Sequence, residues 1–344
     1  MRRVALLLVL LLATLARPAA AEEPDLRVVA ARAVDGFVRP GYRQLAEAAE
    51  LHAADWTALC ATPGRDGIDR LDRSFRRLAD AWARIEFLRY GPIADDFRAE
   101  RVNFWPDKRN ATTRGLARLL APEAPEPTVE TVRAASAAVQ GLPALERLLY
   151  DPGAVERLLA AKPERARACA AGRAIAGGLA SLTAEVSAGW ALLAEAVQSD
   201  PAVARELAAR LTTDFLSGFQ TLIDAKLLPA MGKTPEAARP EALEGRRARR
   251  VRASFVEPLV GQEALAKLLA GTGPEATTLL ATLATARSVA EGLPDDFAES
   301  LSQSKRRSKA VLLLDALRAA QDAALSDLPP LVGVTVGFNS RDGD

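Results

Sequence analysis

Histidine occurs once and cysteine twice in the 344 residues. So few soft ligands cannot build a zinc finger, a multi-histidine metal centre or a cysteine-rich disulfide scaffold. No His-Glu-x-x-His pair is present, which excludes the zincin arrangement. One histidine and no Gly-x-Ser-x-Gly elbow leave no serine triad either. Aromatic residues make up only 5%, against the pattern of a β-sandwich or barrel. Charge of one sign is also missing. With 45 basic and 44 acidic residues the formal net charge is +1, so no electrostatic case exists for nucleic acid as a partner. Beyond residue 21 no stretch approaches 18 uninterrupted apolar residues, so no integral membrane segment is expected after the leader.

What the chain does contain is helix former, with 71 alanines and abundant leucine. Its length exceeds what one typical core fills, so two domains are expected. Arg2 and Arg3 precede an apolar run from Val4 to Ala16, and Ala19-Ala20-Ala21 precede Glu22. This reads as an export signal, residues 1–21, cleaved after Ala21; the apolar run is short for a membrane anchor. Removing its three arginines leaves 323 residues with 42 basic and 44 acidic side chains, net −2. An exported chain enters an oxidising compartment, where Cys60 and Cys169 are expected to pair. The alternative is two separate buried thiols.

Apolar residues then recur at spacings of three and four. Leu71, Phe75, Leu78, Trp82 and Ile85 form one such face. Ile175, Leu179, Leu182, Val186, Trp190, Leu193 and Val197 form a second, and Val203, Leu207, Leu211, Phe215, Phe219 and Leu222 a third. Val311, Leu314, Leu317, Ala324 and Leu328 continue the pattern; only Leu331 to Phe338 hints at period two. Asp200-Pro201 and Asp151-Pro152 each read as an N-cap followed by proline at the first helical position. The longest polar connection, Gly232 to Gly245, is followed by five arginines in the seven residues Arg246 to Arg252. The expected fold is all-α, with two up-and-down helical bundles in tandem: residues 22–199 and residues 200–344.

His52 lies on a helix with Asp55 three residues on, and reads as a surface or boundary histidine. Two other segments are less ordinary. Asn103-Phe-Trp-Pro-Asp-Lys-Arg-Asn110 packs two aromatics, a proline and charges between helical runs. It is either a functional loop or a structural one whose Trp105 plugs a bundle end. In Gln140-Gly-Leu-Pro-Ala-Leu-Glu146, Pro143 interrupts a helical pattern and Gly141 permits close approach of a backbone or ligand. Glu146 either lies near a freed backbone group or sits in the first turn of a new helix.

Gly141-Leu-Pro-Ala-Leu-Glu146 with Arg-Leu-Leu-Tyr150 resembles a signature of the imelysin-like family of bacterial envelope proteins linked to iron acquisition. Trp82-Ala-Arg-Ile-Glu86 through Gly91-Pro92, Phe104-Trp-Pro-Asp107, Phe219 through Lys226 to Gly232, and Leu331 to Asn339 with Asp342-Gly-Asp344 resemble further family motifs, in order. The resemblance implies two helical bundles, a periplasmic or envelope location, and a cleft near the bundle junction. Its implied cleft residues are Trp82, Arg84, Glu86, Trp105, Asp107, Arg109, Gly141, Pro143 and Glu146. The family pattern Gly-x-His-x-x-Glu is proposed to bind metal, iron or another divalent cation; here Pro143 stands in the histidine position. Glu86, Asp107 and Glu146 would supply negative charge, with Glu86 and Glu146 as hard oxygen ligands for a metal ion, and Arg84 and Arg109 suited to carboxylates or an anionic chelate. The expected function is a non-enzymatic, exported binding protein for a metal, a chelate or an envelope partner, connected to metal uptake. The alternatives are a structural interaction module of the envelope and a metallopeptidase.

Overall fold

The computed structural model describes residues 24–107, 109–161 and 164–335; the expected signal, Lys108 and most of the C-terminal motif lie outside them. All regular structure among the described residues is helical. In chain order the α-helices are α1 (Leu26–Ala33), α2 (Arg39–Ala61), α3 (Arg65–Ile85), α4 (Arg98–Val102), α5 (Ala111–Leu119), α6 (Val129–Arg133), α7 (Gly141–Tyr150) and α8 (Ala154–Leu159). There follow α9 (Glu164–Ser199), α10 (Pro201–Gln220), α11 (Leu228–Met231), α12 (Ala253–Ala270), α13 (Thr277–Glu291), α14 (Phe297–Ser300) and α15 (Ser308–Val332).

The apolar stripes explain how these helices pack. The five residues of the Leu71 stripe are all buried on α3. Helix α2 packs on both α3 and α9, with α7 and α8 against α9. Helices α10, α12, α13 and α15 form a second group. The groups meet where α3 lies on α12, and α1 packs on α10 and α12 rather than standing with its sequence neighbours alone. At the α3–α12 crossing a Cβ on Gly261 would stand 1.9 Å from the Arg84 carbonyl oxygen, so only glycine permits that approach. One continuous apolar core runs through both groups. Cys60, at the end of α2, is bridged to Cys169 near the start of α9.

Several local expectations change. Asp200 does cap α10, its Oδ1 accepting the Ala202 N–H at 2.8 Å. Asp151 does not cap a helix start: it closes α7, and Gly153 precedes α8. On α15 Val311 is exposed, and the buried stripe runs through Ala310, Leu313, Leu317, Ala320, Ala324 and Leu328. Leu331 and Val332 complete α15; the hinted alternation beyond residue 335 lies outside the described residues. Two π-helical segments, Val34–Val38 and Thr221–Leu227, extend neighbouring helices without a break. No helix of the described residues is long and apolar enough to cross a membrane.

His52 requires a correction. It is fully buried, not at the surface or boundary. Its Nε2 accepts the Trp56 indole N–H at 3.1 Å, which leaves Nδ1 as the donor to Ser74 Oγ at 2.9 Å. A polar side chain enters the core here because its hydrogen-bonding capacity is met on both sides.

Candidate functional site

Between the two helix groups lies a cavity of about 1240 Å³. Helix α3, the loop from Asn103 to Asn110, α7, the π-helical segment Thr221–Leu227 and the irregular stretch from Arg239 to Arg250 all contribute to its wall. Of the residues singled out in the sequence, Trp82, Glu86, Trp105, Asp107, Pro143 and Glu146 line it. Arg84, Arg109 and Gly141 do not. Arg84 points away on α3 and pairs with Glu257 of α12 at 2.5 Å. Arg109 is exposed, and its carbonyl accepts from the Arg114 guanidinium. Gly141 is buried at φ +65° against the next wall, where a Cβ would stand 2.1 Å from the Val102 carbonyl oxygen. Its close approach therefore serves a backbone, not a ligand.

The three carboxylates of the implied site are already engaged. Asp107 Oδ1 accepts the Ala111 N–H at 2.8 Å and Oδ2 the Thr112 N–H at 2.9 Å, tying down the start of α5. Burial pushes its carboxyl up, but these two N–H groups outweigh that and hold it below the usual range. Glu146 Oε1 accepts the Ala248 N–H at 3.1 Å, and burial raises its pKa above the usual carboxylate range. Glu86, the most enclosed of the three, is paired with the buried ammonium of Lys226.

Lys226 is the central feature that the reading of single motifs passed over. Its Nζ donates to Glu86 and to the Ser254 carbonyl at 3.1 Å, and lies 2.6 Å from Glu244 Oε2. Trp105 presents its ring 6.0 Å from the same nitrogen. Asn103 Nδ2 donates to Glu244 Oε1 at 2.6 Å, completing the surroundings. Burial pushes the Glu86 carboxyl well above its ordinary value, with the Glu244 charge adding to the effect. Burial alone would lower the Lys226 pKa, but the two carboxylates hold it above its ordinary value. A signal for Lys226 was present in the pattern. It follows Phe215, Phe219 and Leu222 at spacings of four, three and four, a lysine in the register of a buried face.

The arginine run after the polar connection fastens the opposite wall. Arg250 pairs with Asp80 of α3, and Arg247 reaches Asp151 at 2.8 Å. Arg252 pairs with Asp295 beside α14. Arg307, nearly buried, donates to the carbonyls of Met231, Gly232 and Thr234 and so holds the start of the same connection. By contrast Arg89 and Arg239 line the cavity with no ion-pair partner among the described residues, Arg89 standing 5.9 Å over the Trp82 ring. At the mouth Phe97 is 77% exposed and, like its neighbour Asp96, adopts a left-handed backbone conformation. Holding two non-glycine residues so costs about 1–2 kcal/mol each.

The implied metal can be tested against this donor set. Among the described residues no three His, Cys, Asp or Glu side chains are placed to hold an ion. Pro143 has no donor atom, and His52 spends both nitrogens in the core. The charge of the Lys226 ammonium, already paired with Glu86 and Glu244, would repel a divalent ion bound to the same carboxylates. The residues present do not fit a bare metal ion.

A two-group helical protein with a polar and aromatic cavity at the junction is thus defined. Residues 38–324 match the family described as Imelysin, and the chain belongs to that family. Its fold is similar to that of an imelysin-like protein from Psychrobacter arcticum 273-4, with TM-score 0.73 and 21% identity over 91% of this chain and 97% of that one. It is also similar to a protein described as an iron-regulated protein A precursor from Parabacteroides distasonis ATCC 8503. There the TM-score is 0.71 and the identity 14%, over 90% of this chain and 97% of that one. A comparison with curated protein sequences finds no match.

Proposed function

We propose that this imelysin-family protein is an exported, non-enzymatic binding protein of the bacterial envelope that serves metal uptake by taking the metal as an organic chelate, not as a bare ion. The observation that carries this reading is the cavity itself. At about 1240 Å³ it is far larger than an ion needs. Its lining includes Arg89 and Arg239, neither in an ion pair among the described residues, and the partly exposed aromatic residues Phe104 and Trp105. Guanidinium groups recognise carboxylate or phenolate oxygens in pairs, and aromatic walls take the chelator's planar parts. The name of the Parabacteroides neighbour supports the iron connection. Export is supported by the leader pattern and by the Cys60–Cys169 bridge, which suits an oxidising compartment.

Titration of the protein with ferric citrate, a ferric catecholate, the iron-free chelators and ferrous or zinc salts, followed by tryptophan fluorescence and calorimetry, tests the reading. One chelate is expected to bind saturably and the bare ions not, with Arg89→Ala/Arg239→Ala weakening the chelate by about tenfold or more. Saturable binding of bare ions with no response to any chelate would refute it. Casein cleavage no greater than in a Glu146→Ala control is expected in the same preparations.

A further inference from the structure

We propose that the Lys226 ammonium is the resident cation of this site, holding the buried carboxylate of Glu86 and the half-buried one of Glu244 in the role a bound metal ion would play. Three observations carry it. The ammonium donates to Glu86 and to the Ser254 carbonyl and forms an ion pair with Glu244 at 2.6 Å, so its charge is met by two carboxylates and a carbonyl. The Trp105 ring covers it at 6.0 Å, as an aromatic face covers a ligand ammonium. The groups that surround it come from four stretches of chain other than its own π-helical segment: the end of α3, the Asn103–Asn110 loop, the Glu244 turn and α12. That is the architecture of an ion-organised site, with the ion supplied covalently. Lys226 is fully enclosed while the cavity extends over Glu86 and Glu244, so the assembled wall is complete without metal. This inference is independent of the chelate reading and stands if no chelate binds.

The test removes the resident cation and offers substitutes. Lys226→Ala keeps Cβ and deletes the equivalent of propylammonium. Its melting temperature is expected to fall, and to be regained saturably by propylammonium or by Mn²⁺ or Zn²⁺ alone, by about 5 °C at concentrations well above the dissociation constant. Lys226→Met fills the same space without charge and is expected to regain nothing from propylammonium. Adding Glu86→Gln to Lys226→Ala is expected to abolish the regain. Should Lys226→Ala fail to fold, the full-length protein still decides. Its melting temperature is expected to be unchanged by Mn²⁺ or Zn²⁺ and by metal-free chelator. The inference is overturned if the unaltered protein binds either ion saturably and Glu86→Gln removes that binding. It is overturned equally if folded Lys226→Ala responds to none of the cations.

Discussion

Two ring nitrogens decide how the α2–α3 hairpin responds to acid. His52 is neutral in the fold because Nε2 accepts from Trp56 and the ring is wholly out of water, and burial pushes its pKa down to about 3. In the unfolded chain it titrates near its ordinary value of about 6.5. Between these values the unfolded state binds the extra proton. Its contribution to stability is therefore complete above pH ~6.5 and lost as pH falls toward 3, by up to about 1.4 kcal/mol per unit. Glu86 acts in the opposite sense: its raised pKa makes the fold hold a proton more tightly, an advantage lost as pH rises through that value. His52→Leu is expected to lose about 1–3 kcal/mol at pH 7, since Trp56 and Ser74 forfeit their partner. It should also flatten the acid limb of the stability profile. Urea midpoints at pH 7.5, 6 and 5 check this; an unchanged acid slope in the variant contradicts it. The burial of His52 was not legible, because spacing places it beside a polar Asp55 and says nothing of Ser74, 22 residues away.

Helix by helix, the sequence was most informative where stripes are long. The α3, α9 and α10 faces pack largely as their periodicity indicates, because burying an apolar stripe leaves few alternatives. The failures are equally physical. Asp151-Pro152 has cap chemistry, but Asp151 is claimed by Arg147 at 3.2 Å and by Arg247, so the chain turns there. A π-helical stretch has no composition of its own, and Thr221–Leu227 reads as ordinary helix until its geometry is seen. The α3–α12 crossing carries the prediction proper to this scale. Gly261→Ala sets a methyl group 1.9 Å from the Arg84 carbonyl oxygen, a backbone atom that cannot rotate away. The helices must separate, and a loss of about 2–3 kcal/mol is expected by denaturant titration. An unchanged midpoint would show that the crossing is looser than its geometry indicates.

At the scale of the whole molecule, the Cys60–Cys169 bridge spans 109 residues and encloses every first-group segment that walls the cavity. On the chain-entropy view it stabilises by about 4–5 kcal/mol through restriction of the unfolded ensemble. Replacing both cysteines with alanine is expected to lower the denaturation midpoint accordingly, while any chelate binding of the proposed kind is retained at moderate temperature. Loss of affinity in the still-folded variant would mean that the bridge shapes the cavity directly. Much of one wall was readable from the family-like motifs, which supplied Trp82, Glu86, Trp105 and Glu146. Glu244 and Arg250 were not, since they lie in irregular backbone and meet their partners only across the junction. The ion cluster has a further consequence for the history of the chain. Glu86 and Trp105 belong to one half, and Lys226, Glu244 and Ser254 to the other. Neither half inherits a usable site if the gene is cut or shuffled near residue 200. A charge change on one side is tolerable only with its counterpart on the other, so the two halves are constrained to evolve as a single unit.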